Sequence, residues 1–242
     1  MDIDRDQADK IFLEKILHSV VNIKGEQKPR AVVLGGQPGS GKSAYARSLL
    51  MMDDSYVFIN GDDLREYHPN YYCYLQKDDK SAADMTQKSV NYWVEELIRY
   101  CLHNKLNMII EGTMRNKDVP IETILKLKQN GYFVSVAAMS VPYDLSVASI
   151  NYRYSETKRI VGHARYTRIE SHDEAFKKIE NTVSLILQEG VYDVFCVVKR
   201  IGESIHSLDF LQDRKEEALK EFVDFRNRDI QDIERDFVNK NK

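Results

Sequence analysis

The sequence predicts an α/β fold, a mostly parallel sheet with helices on both faces, followed by a helical C-terminal extension. Short apolar runs rich in β-branched residues, "AVVLGG", "SYVFIN", "LNMIIEGT" and "YFVSVAAMSV", alternate with stretches of helical periodicity, the pattern of a sheet buried on both faces. The first run leads directly into a glycine cluster, "GGQPGSGKS" (35–43), and "SAYARSLLM" continues from it as a helix. The final stretch, "DRKEEALKEFVDFRNRDIQDIERDFVNKNK", is strongly charged with widely spaced apolar positions, which reads as one solvated amphipathic helix or a pair of them.

Ahead of the first strand, residues 7–22 place Ile11, Phe12, Ile16, Leu17, Val20 and Val21 at helical spacing, an amphipathic helix that packs on the domain behind it. The stretch "IKGEQKPR" ends that helix. After the strand at 55–60 and a polar, tyrosine-rich stretch to about 80, a helix over 83–103 carries Trp93, Leu97, Ile98, Cys101 and Leu102 on one face. The lone tryptophan therefore reads as core. "VPIETILKLKQNG" has proline in its first turn and Gly131 just past its end, the usual punctuation of a helix. Helices over about 143–158 and 172–189, then strands near "VYDVFCVVKR" and "SIHSLDF", complete a domain spanning 29–210. Residues 1–28 form a helical segment packed on it, and 211–242 form the extension, apolar at Leu219, Phe222, Val223, Phe225, Ile230, Ile233 and Phe237.

Composition narrows the partners. With 43% hydrophobic and 30% charged residues the chain lies outside the disordered class. Thirty-five basic against 38 acidic side chains leave a net charge of −3, so there is no overall positive field for nucleic acid or anionic lipid. Neither a nucleic-acid nor a membrane partner is expected. No apolar run approaches the roughly 20 residues that span a bilayer, and the acidic opening "MDIDRDQADK" resembles neither a secretory signal nor a transit peptide. Cys73, Cys101 and Cys196 are odd in number and lack metal-ligand spacing, which suits buried thiols in a reducing, cytoplasmic setting.

Gly36, Gly41, Lys42 and Ser43 satisfy G-x-x-x-x-G-K-[ST], a pattern that a chain of this length meets by chance roughly one time in a hundred. In such a loop, backbone N–H groups of residues 36–43 (Gly36, Gln37, Pro38, Gly39, Ser40, Gly41, Lys42 and Ser43, the proline lacking one) converge on phosphate oxygens at a helix N-terminus. Lys42 reaches the β and γ phosphates, and Ser43 offers its hydroxyl to Mg²⁺. ATP and Mg²⁺ are thus the expected ligands.

Two further strand ends carry acids. "INGDDLR" places Asp62 and Asp63, and "IIEGTMR" places Glu111, Thr113 and Arg115, at the same edge as the loop if these strands are parallel to the first. A carboxylate there accepts the proton of an attacking hydroxyl or holds Mg²⁺ through water. The other reading of "GDD" is a helix N-cap, with Asp63 the better cap candidate. Between 153 and 168 the segment "RYSETKRIVGHARYTR" carries Arg153, Lys158, Arg159, His163, Arg165 and Arg168. It is either a basic lid that stabilises phosphoryl charge, or a solvated basic face or RNA-contacting patch.

Together, the phosphate loop, "INGDDLREYHPNY", "IIEGTMRNKDVPI", "VPYDLSVASINYRY" and "GHAR" resemble the zeta toxins, bacterial kinases of toxin-antitoxin pairs, over residues from about 30 to about 190. The resemblance implies a P-loop kinase-like fold and ATP-dependent phosphorylation of a UDP-sugar, UDP-N-acetylglucosamine, on its 3′-hydroxyl, which blocks its use in cell-wall synthesis. It also implies a cognate antitoxin. By the same resemblance Asp62 activates the acceptor hydroxyl, Arg153 and Arg165 act on the ATP phosphates, and Glu111 and Thr113 bind the sugar with Arg115 close behind. Glu95, sixteen residues before Glu111, matches a further family glutamate. Arg159 and Arg168 are the other lid arginines. The rival readings are another P-loop phosphotransferase, acting on a nucleoside, an antibiotic or a nucleic-acid end, and an ATP-binding regulatory protein.

Overall fold

A computed structural model of the chain describes residues 2–202 and 204–240, with the side chains of 234 and 237–240 outside the description. Phe237 as an apolar position, and the last two residues of the extension, therefore lie outside the described residues. Helices and strands alternate as α1 (Arg5–Ile11), β1 (Arg30–Gly35), α2 (Lys42–Met52), β2 (Tyr56–Ile59), α3 (Gly61–Arg65), α4 (Tyr71–Lys77), α5 (Ala82–Met85), α6 (Gln87–Asn104), β3 (Asn107–Gly112) and α7 (Asp118–Gln129). They continue as β4 (Phe133–Ser140), α8 (Tyr143–Val161), α9 (Ile169–Glu189), β5 (Val194–Ile201), β6 (Ser204–Phe210), α10 (Lys215–Arg226) and α11 (Ile230–Lys240).

The strands form one six-stranded sheet in the order β2-β3-β1-β4-β5-β6. All neighbours are parallel except β6, which runs antiparallel to β5. Both faces of β1 are apolar for a physical reason: Ala31 and Val33 join one core and Val32 and Leu34 the other, so alternation of side chains leaves no solvent face. Register then sets the site. Leu34 lies beside Glu111, Gly35 beside Gly112, and Ile59 beside Ile110, which brings the carboxyl ends of β1, β2 and β3 to one rim.

The larger core gathers side chains of α6, α7, α9 and α10 and of the N-terminal segment against the sheet. Trp93 is fully buried there, and its indole N–H donates to the Ala8 carbonyl at 3.0 Å, tying α1 to α6. The single helix expected over 7–22 is instead α1, a π turn at Phe12–Ile16 and a 3₁₀ turn at Leu17–Ser19. The wider turn keeps Ile11, Phe12, Ile16 and Val20 in the core while Val21 faces outward.

The helix expected over 83–103 is also divided, at Thr86 between α5 and α6. Buried Arg65 is the cause. Its guanidinium donates to the Ala83 carbonyl at 2.5 Å, to Thr86 Oγ1 at 2.6 Å and to Gln87 Oε1 at 2.9 Å, taking the carbonyl that a continuous helix would give to the Gln87 N–H.

A pair of C-terminal helices forms, yet α10 is more than a solvated surface helix. Ala218 and Phe222 are fully buried, and the Ser140 hydroxyl donates to the Phe222 carbonyl at 2.6 Å. Arg226 is buried against Glu180, 2.8 Å away, and the Phe176 carbonyl. Of the cysteines, Cys101 and Cys196 are buried as expected, whereas Cys73 is exposed on the short, tyrosine-rich α4. Among the described residues, no helix is long and apolar enough to cross a membrane.

Removing the indole would empty a site that nothing nearby can fill. Trp93→Ala should destabilise the chain by about 3–5 kcal/mol, read as a large drop in the urea midpoint. A shift under about 1 kcal/mol would contradict the role given to this core.

Candidate active site

The phosphate loop runs between β1 and α2 and turns through Gly39 at φ +78° and Gly41 at φ +95°, backbone that an L side chain rarely adopts. At Gly39 a Cβ would lie 2.2 Å from the Ser146 carbonyl oxygen, so the first turn of α8 rests directly on the loop. Lys42 folds back over it, its ammonium donating to the carbonyls of Gly36 at 2.9 Å and Gln37 at 3.1 Å. Burial lowers the pKa of Lys42, while the charges of Glu111 and Asp62 oppose that effect. Gly41 is the N-cap of α2 and makes no side-chain bond, and its carbonyl takes the Ala44 N–H at 3.1 Å, which leaves the Lys42 and Ser43 N–H groups available to an anion.

Glu111 lies one residue before the end of β3, beside this loop. The Ser43 hydroxyl donates to it at 3.1 Å, the Asn60 amide at 3.4 Å, and Lys42 Nζ stands 4.0 Å away. Burial raises the pKa of Glu111, with Lys42 pulling the other way. The Ser43 hydroxyl and this carboxylate are hard oxygen donors at the phosphate end of the loop, as Mg²⁺ prefers. Because Mg²⁺ keeps most of its shell as water and phosphate, the absence of any cluster of three His, Cys, Asp or Glu among the described residues does not disfavour it.

Asn60, which the sequence reading passed over, links this group to the next. Its side-chain oxygen accepts the Asp62 N–H at 2.8 Å and caps α3, so the capping role weighed for Asp63 falls to Asn60. Asp63 is exposed. Asp62 is left free for another partner, and that partner is Arg165, which donates to its carboxylate.

The basic segment 153–168 is not one continuous face. Arg165 meets Asp62, and Arg153 donates to Thr167 Oγ1 at 3.0 Å. Protein packed around the guanidinium, and next the charge of Arg165, lower the pKa of Arg153, although the residue keeps much of its surface in solvent. Arg159 instead pairs with Glu156 on its own helix, and Arg168 with Asp84. The C-terminal half of α8 is also drawn toward the turn between α4 and α5, where Lys158 and the Tyr154 hydroxyl reach Asp79 at 2.7 and 2.9 Å.

Lys42, Ser43, Asp62, Glu111, Arg153 and Arg165 therefore form one neighbourhood. The other expected residues stay outside its bonding. Among the described residues, Thr113 is half-buried with no side-chain hydrogen bond, Glu95 is exposed on α6 with no ion pair, and Arg115 turns to Glu174 of α9 at 3.3 Å. Arg200, at the end of β5, was also missed. It donates to the Gly39 carbonyl and to Ser149 Oγ, each at 2.9 Å, and so braces the loop from the far side. Its only sequence signal was an arginine at a strand's carboxyl end.

The chain as a whole is similar to known proteins. The chain is 36% identical over 152 residues to Toxin PezT of Streptococcus pneumoniae serotype 4, which covers 62% of this chain and 60% of that toxin. It is 29% identical over 187 residues to Toxin zeta of Enterococcus hirae, covering 76% of this chain and 65% of the relative. The matched region thus spans less than two thirds of these curated relatives. A solved structure from the PezAT chromosomal toxin-antitoxin system of S. pneumoniae superposes with a TM-score of 0.74 at 25% identity, covering 92% of this chain and 99% of that one. The AvrRxo1-ORF1:ORF2 complex with ATP, at TM-score 0.56 and 12% identity, shares the fold alone over 90% of this chain and 69% of that one. The zeta toxin family model matches residues 15–228, from the N-terminal segment through α10, and the chain belongs to that family.

Proposed function

We propose that this chain is an ATP-dependent phosphotransferase that acts on the 3′-hydroxyl of UDP-N-acetylglucosamine or a related UDP-sugar. The product is unfit for cell-wall synthesis, and a cognate antitoxin in the cytoplasm restrains the enzyme. The observation that carries the reading is the placement of Asp62 beside Arg165, at the rim where Lys42 and Glu111 meet the phosphate loop. A phosphate cradle alone serves many activities; a carboxylate held opposite it, among cations, serves transfer to a hydroxyl. The toxin-antitoxin system of the pneumococcal relative motivates the antitoxin.

In this reading residues 36–43 hold the ATP phosphates. Asp62 orients the acceptor hydroxyl and takes its proton as the oxygen attacks the γ-phosphorus, and ADP leaves with the bridging oxygen. For Asp62 to act as the base, Arg165 turns from its carboxylate to the phosphoryl oxygens, where it joins Lys42 and Arg153. Glu111 and Thr113 line the acceptor side, with Arg115 and Glu95 as its outer members. Ser43 would hold Mg²⁺, which would supply neutralisation of the phosphate charge. Positioning and electrostatics then supply nearly all of the catalysis.

Phosphorus NMR on UDP-N-acetylglucosamine with Mg·ATP tests the reaction. A new sugar-phosphate resonance is expected, and its absence while a nucleoside or an RNA end is modified would transfer the chain to the rival kinases. Asp62→Ala should lower the transfer rate by about 10²–10⁴-fold with ATP binding retained, whereas Lys42→Ala should weaken both. Near-normal turnover by Asp62→Ala would remove the base.

The site also holds charge at the expense of the fold. Burial raises the pKa of Glu111, so the folded chain binds that proton more tightly than the unfolded one. Stability is therefore lost as pH rises from the ordinary value of 4.5 through the folded value. Glu111→Gln should melt higher than the parent at about pH 7, with the gap closing toward about pH 4. A gap independent of pH would refute this.

A further inference from the structure

A buried polar chain runs from the phosphate loop into the helix that follows the lid, and no step above uses it. Gln37 is fully buried, and its amide nitrogen donates to the Val141 carbonyl at 2.8 Å and to Ser146 Oγ at 3.3 Å. Ser146 Oγ lies 2.9 Å from His172 Nε2, and His172 Nδ1 lies 3.2 Å from Asp173 Oδ1. The Tyr143 hydroxyl donates to the same carboxylate oxygen at 2.8 Å. Ser146 and His172 are both fully buried, and the imidazole is clamped by the Tyr143 ring at 5.0 Å edge-on and the Phe176 ring at 6.3 Å stacked.

The protons have one consistent arrangement for a neutral imidazole. An ionised Asp173 only accepts, so His172 carries its proton on Nδ1 and accepts at Nε2 from the Ser146 hydroxyl. Ser146 in turn accepts from Gln37, although the carbonyls of Tyr143 at 2.8 Å and Pro142 at 3.2 Å compete for the Ser146 proton. The imidazole ties Ser146 down, and Ser146 fixes the amide of the loop residue two positions before the tight Gly39 turn.

We infer that His172 is a positioning residue for the phosphate loop: through Ser146 it sets the placement of Gln37, and so joins the cradle to α9, the helix that begins just after the lid arginines. This rests on the nucleotide-binding reading above. His172 touches no nucleotide in this scheme, and its influence passes through two hydrogen bonds.

Calorimetric titration of Mg·ATP into the purified full chain tests it. His172→Ala and Ser146→Ala should each raise the dissociation constant about tenfold, the usual effect of leaving a buried polar partner unmatched. The double variant should be no weaker than either single one, since both break the same chain. His172→Gln, which places an amide group near the original Nε2, should recover most of the affinity. In sugar-phosphate assays the KM for ATP should rise while the KM for the acceptor stays at the parent value. Native ATP affinity in folded His172→Ala overturns the inference, as do additive single effects. If that variant does not fold, native affinity in Ser146→Ala overturns it equally. A parent chain that binds no ATP at all defeats the nucleotide reading instead, and with it this one.

Discussion

The carboxylate of Glu111 is the group around which the rest of the site is arranged. It lies one residue before the end of β3, and it touches Ser43 and the field of Lys42 at the start of α2 and Asn60 just past β2. One side chain thus connects the carboxyl ends of three adjacent parallel strands. The connection follows from register, because pairing Leu34 with Glu111 leaves the acid level with the last strand residues before the loop. A slip of one residue would turn it to the opposite face. Such a buried charge contributes little net stability once desolvation is counted, so its worth lies in fixing where Ser43, Asn60 and Lys42 stand.

From Asn60 the arrangement extends outward. Because the Asn60 side chain caps α3, Asp62 is spared that task and meets Arg165 from the segment after α8. Three cations, Lys42, Arg153 and Arg165, then stand within one another's fields, and like-charge repulsion contributes to the lowered pKa values of Lys42 and Arg153. A multiply charged anion in the cradle would relieve that repulsion and favour the charged forms of Lys42 and Arg153. It would also compete with Asp62 for Arg165. In the proposed reaction, a ligand that filled the loop would therefore favour release of the carboxylate from its ion pair.

How far the sequence disclosed this depends on whether a feature is local. The parallel strands were readable because burial on both faces leaves unbroken apolar runs, and the loop because its glycines and lysine are contiguous. Asp62 and Glu111 were readable as strand-end acids once the parallel order was assumed. The break at Thr86 was not, since its cause is Arg65, a residue in another helix whose burial no local pattern announces. Asn60 went unnoticed because a buried amide that caps one helix and holds a carboxylate looks like any loop asparagine. The burial of α10 was obscured by its many charges, which hid a narrow apolar face of Ala218 and Phe222. In each case a long-range contact overrode a local signal.

The two halves of the site differ in how firmly they are built. Lys42, Ser43, Asn60 and Glu111 are interlocked, and Arg200 and Ser146 brace the loop from the β5 and α8 sides. Among the described residues, Thr113 and Glu95 make no side-chain bonds, and Arg115 is engaged by an exposed pair with Glu174. Such a division suits a site that must hold one partner's phosphates in a fixed geometry while admitting a second, bulkier partner. Groups that will meet developing charge gain from being fixed in advance; groups that recognise an exchanging ligand gain from remaining unpaired until it arrives. Asp62 sits at the boundary, anchored through its backbone by Asn60 and held at its carboxylate, among the described residues, by the long side chain of Arg165. That combination allows it to keep its place while changing its partner.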